Sequence, residues 1–135
     1  MAYAQWIAIK IVSENMTLTV RNAKLDPGKF HRAGNKDAEI KPSEINGITI
    51  KSGEIGWIHS SGRQDSPTGT KGSIDLYHEE TLVAVFNWNC PWGIRRNSFD
   101  LRLVASDEIY HKGLKGGNRG FGPIREVTLI LVSNK

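Results

Sequence analysis

The densest group of chemically distinctive side chains lies in Asn87-Trp-Asn-Cys-Pro-Trp-Gly-Ile-Arg-Arg-Asn97. It contains two of the four tryptophans, the one cysteine and the adjacent arginines Arg95 and Arg96. A Pro-Trp-Gly turn puts Trp92 on a loop rather than in a pleat, and an indole suits a boundary that is apolar on one side and wet on the other. The guanidinium forks beside it match a phosphate group. Trp88 precedes the turn on an apolar strand face, where a place in the core competes with one at the surface. Trp6 stands opposite the Ile7, Ile9 and Ile11 face of the first candidate strand, which leaves its indole partly exposed or covered by another segment. Trp57 reads as a satisfied inter-sheet tryptophan.

A second cluster is the polar loop Ser61-Gly-Arg-Gln-Asp-Ser-Pro-Thr-Gly-Thr-Lys-Gly72. One reading is a solvated loop in which Arg63 and Asp65 brace the backbone. The other is a polar rim beside the aromatic turn, gripping the ammonium and phosphate of a zwitterionic head group.

The remaining reactive types do not assemble into catalytic machinery. His31, His59, His78 and His111 lack the close spacing of metal ligands and read as surface or edge residues. Cys90 has no identifiable partner base and reads as a buried structural thiol. Glu79-Glu80 sits in a hairpin-like position where acidic pairs are solvated. The glycines between 113 and 122 lack the Gly-x-x-x-x-Gly-Lys-Ser/Thr order of a phosphate loop. The sequence therefore points to binding rather than to an enzyme, with neither metal nor cofactor.

The elements that position these groups follow a period of two, as in Ile74-Asp-Leu76, Phe99-Asp-Leu-Arg-Leu103 and Leu18-Thr-Val20. Leu82, Ala84, Phe86 and Trp88 share one strand face, opposed by Val83, Val85 and Asn87. The segment from Ile124 to Val132 reads as a strand covered on both faces. Asn46-Gly47 suits a type I′ hairpin turn. A strand around Glu108–His111 is expected to lead into a mobile glycine-rich loop. Turn signals recur throughout, and no segment sustains a helical apolar stripe, so the expected fold is all-β, a single-domain sandwich over residues 1–135.

Composition agrees with this. The 135 residues are 39% hydrophobic and 24% charged, and a chain near this length buries about two-thirds of its unfolded surface. Its net charge of +4 favours acidic partners without selecting one. No apolar stretch approaches the roughly 18 residues of a membrane span. The N-terminal residues lack the order of a signal peptide. The expectation is a soluble protein that, if it meets a membrane, reaches it from the side.

Several ordered segments resemble the aegerolysin family: Ala2-Tyr-Ala-Gln-Trp6, Gly34-Asn-Lys-Asp-Ala-Glu39, Gly62-Arg-Gln-Asp-Ser66, Gly69-Thr-Lys-Gly-Ser-Ile-Asp-Leu76 and Trp88-Asn-Cys-Pro-Trp-Gly93. The resemblance implies a small β-sandwich, similar in shape to actinoporin-like cytolysins and without enzymatic activity. It also implies recognition of membrane sphingolipid, either sphingomyelin with cholesterol or the ceramide phosphoethanolamine of invertebrate membranes. Action would be extracellular, at the surface of a target cell, with possible oligomers on the membrane. A perforin-like partner would insert as the second component of a pore, and some such pairs kill insects. The residues carried over to a lipid-binding site are Trp6, Arg63, Asp65, Trp88 and Trp92, with Arg95 as a feature of this sequence.

Departures fall in that same surface. Asp26-Pro-Gly-Lys29 stands where the family commonly has Ser-Trp-Gly-Lys, Thr68 replaces an acidic residue, and Arg95-Arg96 replaces Ser-Lys. Two other readings stay open. One is a lectin-like sandwich stacking sugars on Trp92, with the Arg63/Asp65 loop meeting hydroxyls. The other is an unspecific nucleic-acid binder resting on charge and aromatics, ranked last because the basic residues are dispersed.

Overall fold

In the computed structural model, which describes residues 2–134, the alternating segments form two facing sheets. In chain order the strands are β1 (Trp6–Glu14), β2 (Leu18–Leu25), β3 (Lys29–Arg32), β4 (Asn35–Ile40), β5 (Thr49–Ile50) and β6 (Ile55–Ser61). They continue with β7 (Thr70–His78), β8 (Thr81–Cys90), β9 (Ser98–Leu103), β10 (Tyr110–Gly116) and β11 (Arg125–Ser133). One helical turn, α1 (Pro42–Ile45), interrupts them. The six-stranded sheet runs β10-β11-β1-β6-β3-β4 and the five-stranded sheet β5-β2-β7-β8-β9. All strand pairs are antiparallel except β1 with β11, which run side by side in the same direction.

The period-two pattern places the core. Ile7, Ile9 and Ile11 of β1, Ile58 of β6 and Val127, Leu129 and Leu131 of β11 point from the larger sheet into the interior. Leu18, Val20, Ile74, Leu76, Ala84, Phe86 and Trp88 meet them from the smaller one. Each large apolar side chain so buried contributes roughly 1.5–3 kcal/mol.

The one buried indole is polar at its nitrogen, and the fold satisfies it through a relay that ties the two sheets together. Trp88 Nε1–H donates to Thr70 Oγ1 at 3.0 Å, Thr70 Oγ1 lies 2.6 Å from Ser60 Oγ, and Ser60 donates to the Lys29 carbonyl at 2.8 Å. The ring stacks on Phe86 and meets the edge of Phe30 across the sandwich. Gly72 makes room for it, because a Cβ there would come within 2.7 Å of the indole and 2.3 Å of the Lys24 carbonyl.

Four local expectations are corrected. The β7–β8 register steps from Leu76↔Ala84 to Tyr77↔Leu82, so Val83 is the extra residue of a β-bulge. Val83 is buried and Leu82 is only half-buried, so the apolar face begins at Ala84. Asn46-Gly47 does not close a hairpin. It forms a type II turn after α1, with Asn46 at φ −63° and ψ 133°, Gly47 at φ +94°, and Ile48 N–H donating to Ile45 O at 3.2 Å. The strand expected around Glu108–His111 is β10, which begins at Tyr110 and takes in Gly113 and Gly116. The glycine-rich segment after it is braced by the Asn97 amide, which donates to Asn118 O and Gly122 O at 3.0 and 2.9 Å. Finally, β11 is sealed on its core face only; Thr128, Ile130 and Val132 are half-buried on the other. Glu79-Glu80 does form the two-residue turn between β7 and β8.

Candidate lipid-facing end and outer sheet face

Five segments meet at one end of the sandwich: the N-terminal residues before β1, the turn around Pro27, the 62–69 loop, the 91–97 loop and the 117–124 loop. Buried and backbone polar groups fasten them together. Gln5 Nε2 donates to Pro91 O, Gly62 N–H donates to Gln5 O at 2.9 Å, and Asn97 N–H donates to Gly120 O at 2.9 Å. Gly69 lets two of the loops touch, since a Cβ there would fall 1.7 Å from the Cys90 carbonyl. The end is therefore a braced platform, made of turn residues but held by the strands below.

Three apolar side chains project from it. Ile94 is 90% exposed, Phe121 58% and Trp92 40%. Arg96 lies over the Phe121 ring at 5.5 Å. Trp92 and Arg95 border a cleft of about 430 Å³ that Pro27, Pro67, Thr68 and Lys71 help to line. An indole wall, two cations and a hydroxyl around one opening suit an anionic group carried on an apolar body.

The other residues named from sequence lie elsewhere. Trp88 is 2% exposed and cannot meet a lipid or a head group; it is a core residue, placed inward by strand alternation. Arg63 does not brace its loop through Asp65. Its guanidinium forms a two-pronged pair with Glu39 of β4 at 2.9 and 3.0 Å, which holds the Glu39 carboxyl below the usual carboxylate range. Asp65 is on the exposed part of the same loop. Neither lines the Trp92 cleft. Trp6 is half-buried on the outer face of the six-stranded sheet, with Lys36 Nζ 5.4 Å from its ring centre.

That outer face holds what sequence reading missed. Trp57 is 41% exposed instead of lying between the sheets, and its ring stacks on His59 at 5.7 Å with an interplanar angle of 9°. His59 in turn lies 5.7 Å from His31. The pairings His31↔His59 and His59↔Ala8 put these residues in one row, so the two histidines converge and His31 is buried. Desolvation keeps both imidazoles below their ordinary pKa, and for His31 the neighbouring His59, Lys36 and Lys29 add to it against the hydrogen bond to Arg32 O. The signal for Trp57 was its period: it shares β6 with Ile55 and His59, alternate to buried Ile58 and Ser60. The histidine pairing had no local signal, because it depends on register between strands distant in sequence.

Cys90 is buried in the core, where desolvation pushes its thiol up to about 11. Among the described residues no helix is long and apolar enough to cross a membrane.

Comparison with known proteins accounts for this architecture. The aegerolysin family model matches residues 4–134. The chain is 38% identical over 133 residues to ostreolysin A6 of Pleurotus ostreatus, covering 96% of this chain and 95% of that protein. It is 38% identical over 102 residues to Asp-hemolysin of Aspergillus fumigatus, covering 74% and 73%. Among solved structures, the RahU protein in complex with a TRIS molecule superposes with a TM-score of 0.93 at 38% identity, over 99% of this chain and 98% of that one. Family model, relatives and fold agree: this chain belongs to the aegerolysin family.

Proposed function

We propose that this protein binds membrane lipid peripherally and without catalysis, docking by the end that carries Trp92, Ile94 and Phe121. The observation that carries the reading is Ile94, an aliphatic side chain 90% exposed between an exposed indole and two arginines. A lone exposed isoleucine needs no explanation, but three large apolar groups on one braced end form a patch that water solvates poorly. Lowered onto a bilayer, they enter the head-group zone, where indoles are favoured and basic residues meet phosphates. The cleft beside Trp92 then faces the head group, with Arg95 and Lys71 reaching its phosphate.

The lipid we assign is a sphingolipid, sphingomyelin with cholesterol or ceramide phosphoethanolamine, in keeping with the family resemblance. The protein would act from outside the target cell as the recognition half of a two-component cytolysin, leaving insertion to a perforin-like partner. Preference for ceramide phosphoethanolamine would direct such a pair against invertebrates.

Co-sedimentation with vesicles tests the reading. Binding is expected to vesicles of sphingomyelin and cholesterol, or of ceramide phosphoethanolamine, and not to phosphatidylcholine alone. Ile94→Asp should lower that binding roughly 10- to 100-fold, the equivalent of one large aliphatic group no longer removed from water. A protein that stays in the supernatant with all three compositions is not a lipid-binding protein of this kind.

A further inference from the structure

We infer that the outer face of the six-stranded sheet carries a second, separate binding site, a shallow subsite for a neutral or acidic pyranose between Trp6 and Trp57. The cross-strand row Glu39–His31–His59–Ala8–Glu126 runs across this face. Ala8 is its smallest member, and Trp6 and Trp57 flank the Ala8–His59 pair from opposite directions along the strands. The result is a groove of about 420 Å³ with an alanine floor, indole walls, Ala33 at its side and Glu126 at its end.

The chemistry of the lining selects the ligand. The walls are almost wholly apolar, yet the side chains of His59 and Glu126 spend no hydrogen bond on another described residue. An apolar trough with unspent hydrogen-bonding groups at its margin fits a molecule with a flat C–H face and a rim of hydroxyls, which a pyranose has. An ammonium ligand is the natural rival for an aromatic box. Here each indole already has a lysine against it, Lys36 at 5.4 Å from Trp6 and Lys10 at 5.9 Å from Trp57. Even with Glu126 and Asp37 lining the two depressions, the lysines already set against both indoles disfavour a further cation there and favour a neutral or carboxylate-bearing sugar.

An independent observation lies in the adjoining depression, which shares Trp6 and His59 with the groove and is also lined by His31. His31 Nδ1 donates to Arg32 O at 2.8 Å, which leaves Nε2 as an acceptor. That nitrogen is buried and has no donor among the described residues. Burying an acceptor unsatisfied is costly, and such groups in native proteins call for an explanation. A sugar hydroxyl entering beside His59 would supply the missing donor.

The site lies on strands, apart from the cleft at Trp92, so it can be tested without a membrane. Indole N–H signals of the folded protein are followed by NMR while methyl glycosides of glucose, galactose, mannose and N-acetylglucosamine, and sialic acid, are added to tens of millimolar. At least one should shift the Trp6 and Trp57 signals saturably and leave Trp92 in place. Ala8→Leu, which fills the floor, and Trp57→Ala, which removes a wall, should each weaken that sugar about tenfold or more; Trp92→Ala should not. The inference is overturned if no sugar moves Trp6 or Trp57, if Trp92 alone responds, or if tetramethylammonium shifts them and every sugar fails.

Discussion

Trp88 and Trp92 belong to one short stretch, Trp88-Asn-Cys-Pro-Trp-Gly93, and end in opposite environments. The first closes the core, its N–H spent on Thr70 and its ring against Phe86 and Phe30. The second stands 40% exposed beside Arg95 at the rim. Nothing in the chemistry of the indole separates them. The backbone does: Trp88 keeps the alternation of β8, and Pro91 and Gly93 break it, with Gly93 at φ +90°. One residue type therefore does two jobs, and a substitution at each should be felt in a different measurement.

The largest expected effect is on the buried side. Trp88→Ala should cost about 3–5 kcal/mol of stability, read as a lower urea midpoint, because it opens a cavity and strips the relay through Thr70. An unchanged midpoint would mean that the core does not depend on this ring. Trp92→Ala should do the reverse, leaving the unfolding free energy within about 0.5 kcal/mol and weakening vesicle binding roughly tenfold. If the two variants behaved alike, the division between core and rim would be wrong.

The same contrast has a pH-dependent form. His31 and His59 titrate below the ordinary imidazole value in the folded protein, so the unfolded chain takes up protons first as pH falls through about 6.5. Their contribution to stability is complete above that value, declines below it, and stops declining once the folded imidazoles are also charged. The urea midpoint should fall between pH 7 and pH 5, and the fall should be smaller in His31→Gln. The smallest effect is expected at Cys90, between the two tryptophans: with its thiol raised to about 11, the folded protein should resist iodoacetamide at pH 8 and react only when denatured. Rapid labelling of the folded protein would show that the core is open at the base of the turn.

Much of the scaffold was legible in the residues. Period-two runs such as Ile7, Ile9 and Ile11 can bury one face only as strands, and Pro91-Trp-Gly93 can only leave a pleat. Less legible was anything that depended on which strand met which. The bulge at Val83 exchanges Leu82 for its neighbour, a shift by one residue that no alternation predicts. His31 and His59 look scattered until β3 is laid beside β6. The platform around Trp92 was half visible: Trp92 and Arg95 were readable from the turn, whereas Ile94 and Phe121 stand out only once two loops are brought together. Arg63 had a carboxylate partner in view, Asp65, but folding supplied a different one in Glu39.

The pairing of β1 with β11 has a consequence for synthesis. Ile7, Ile9 and Ile11 are made well before the strand that completes their side of the sheet, Arg125–Ser133. Until Ser133 is made, the middle of the larger sheet is an open edge, with a row of amides and carbonyls waiting for a neighbour. Closure is thus a late, long-range event of the slow kind, and a nascent chain stalled before β11 would expose a sticky seam to every other unfinished copy nearby.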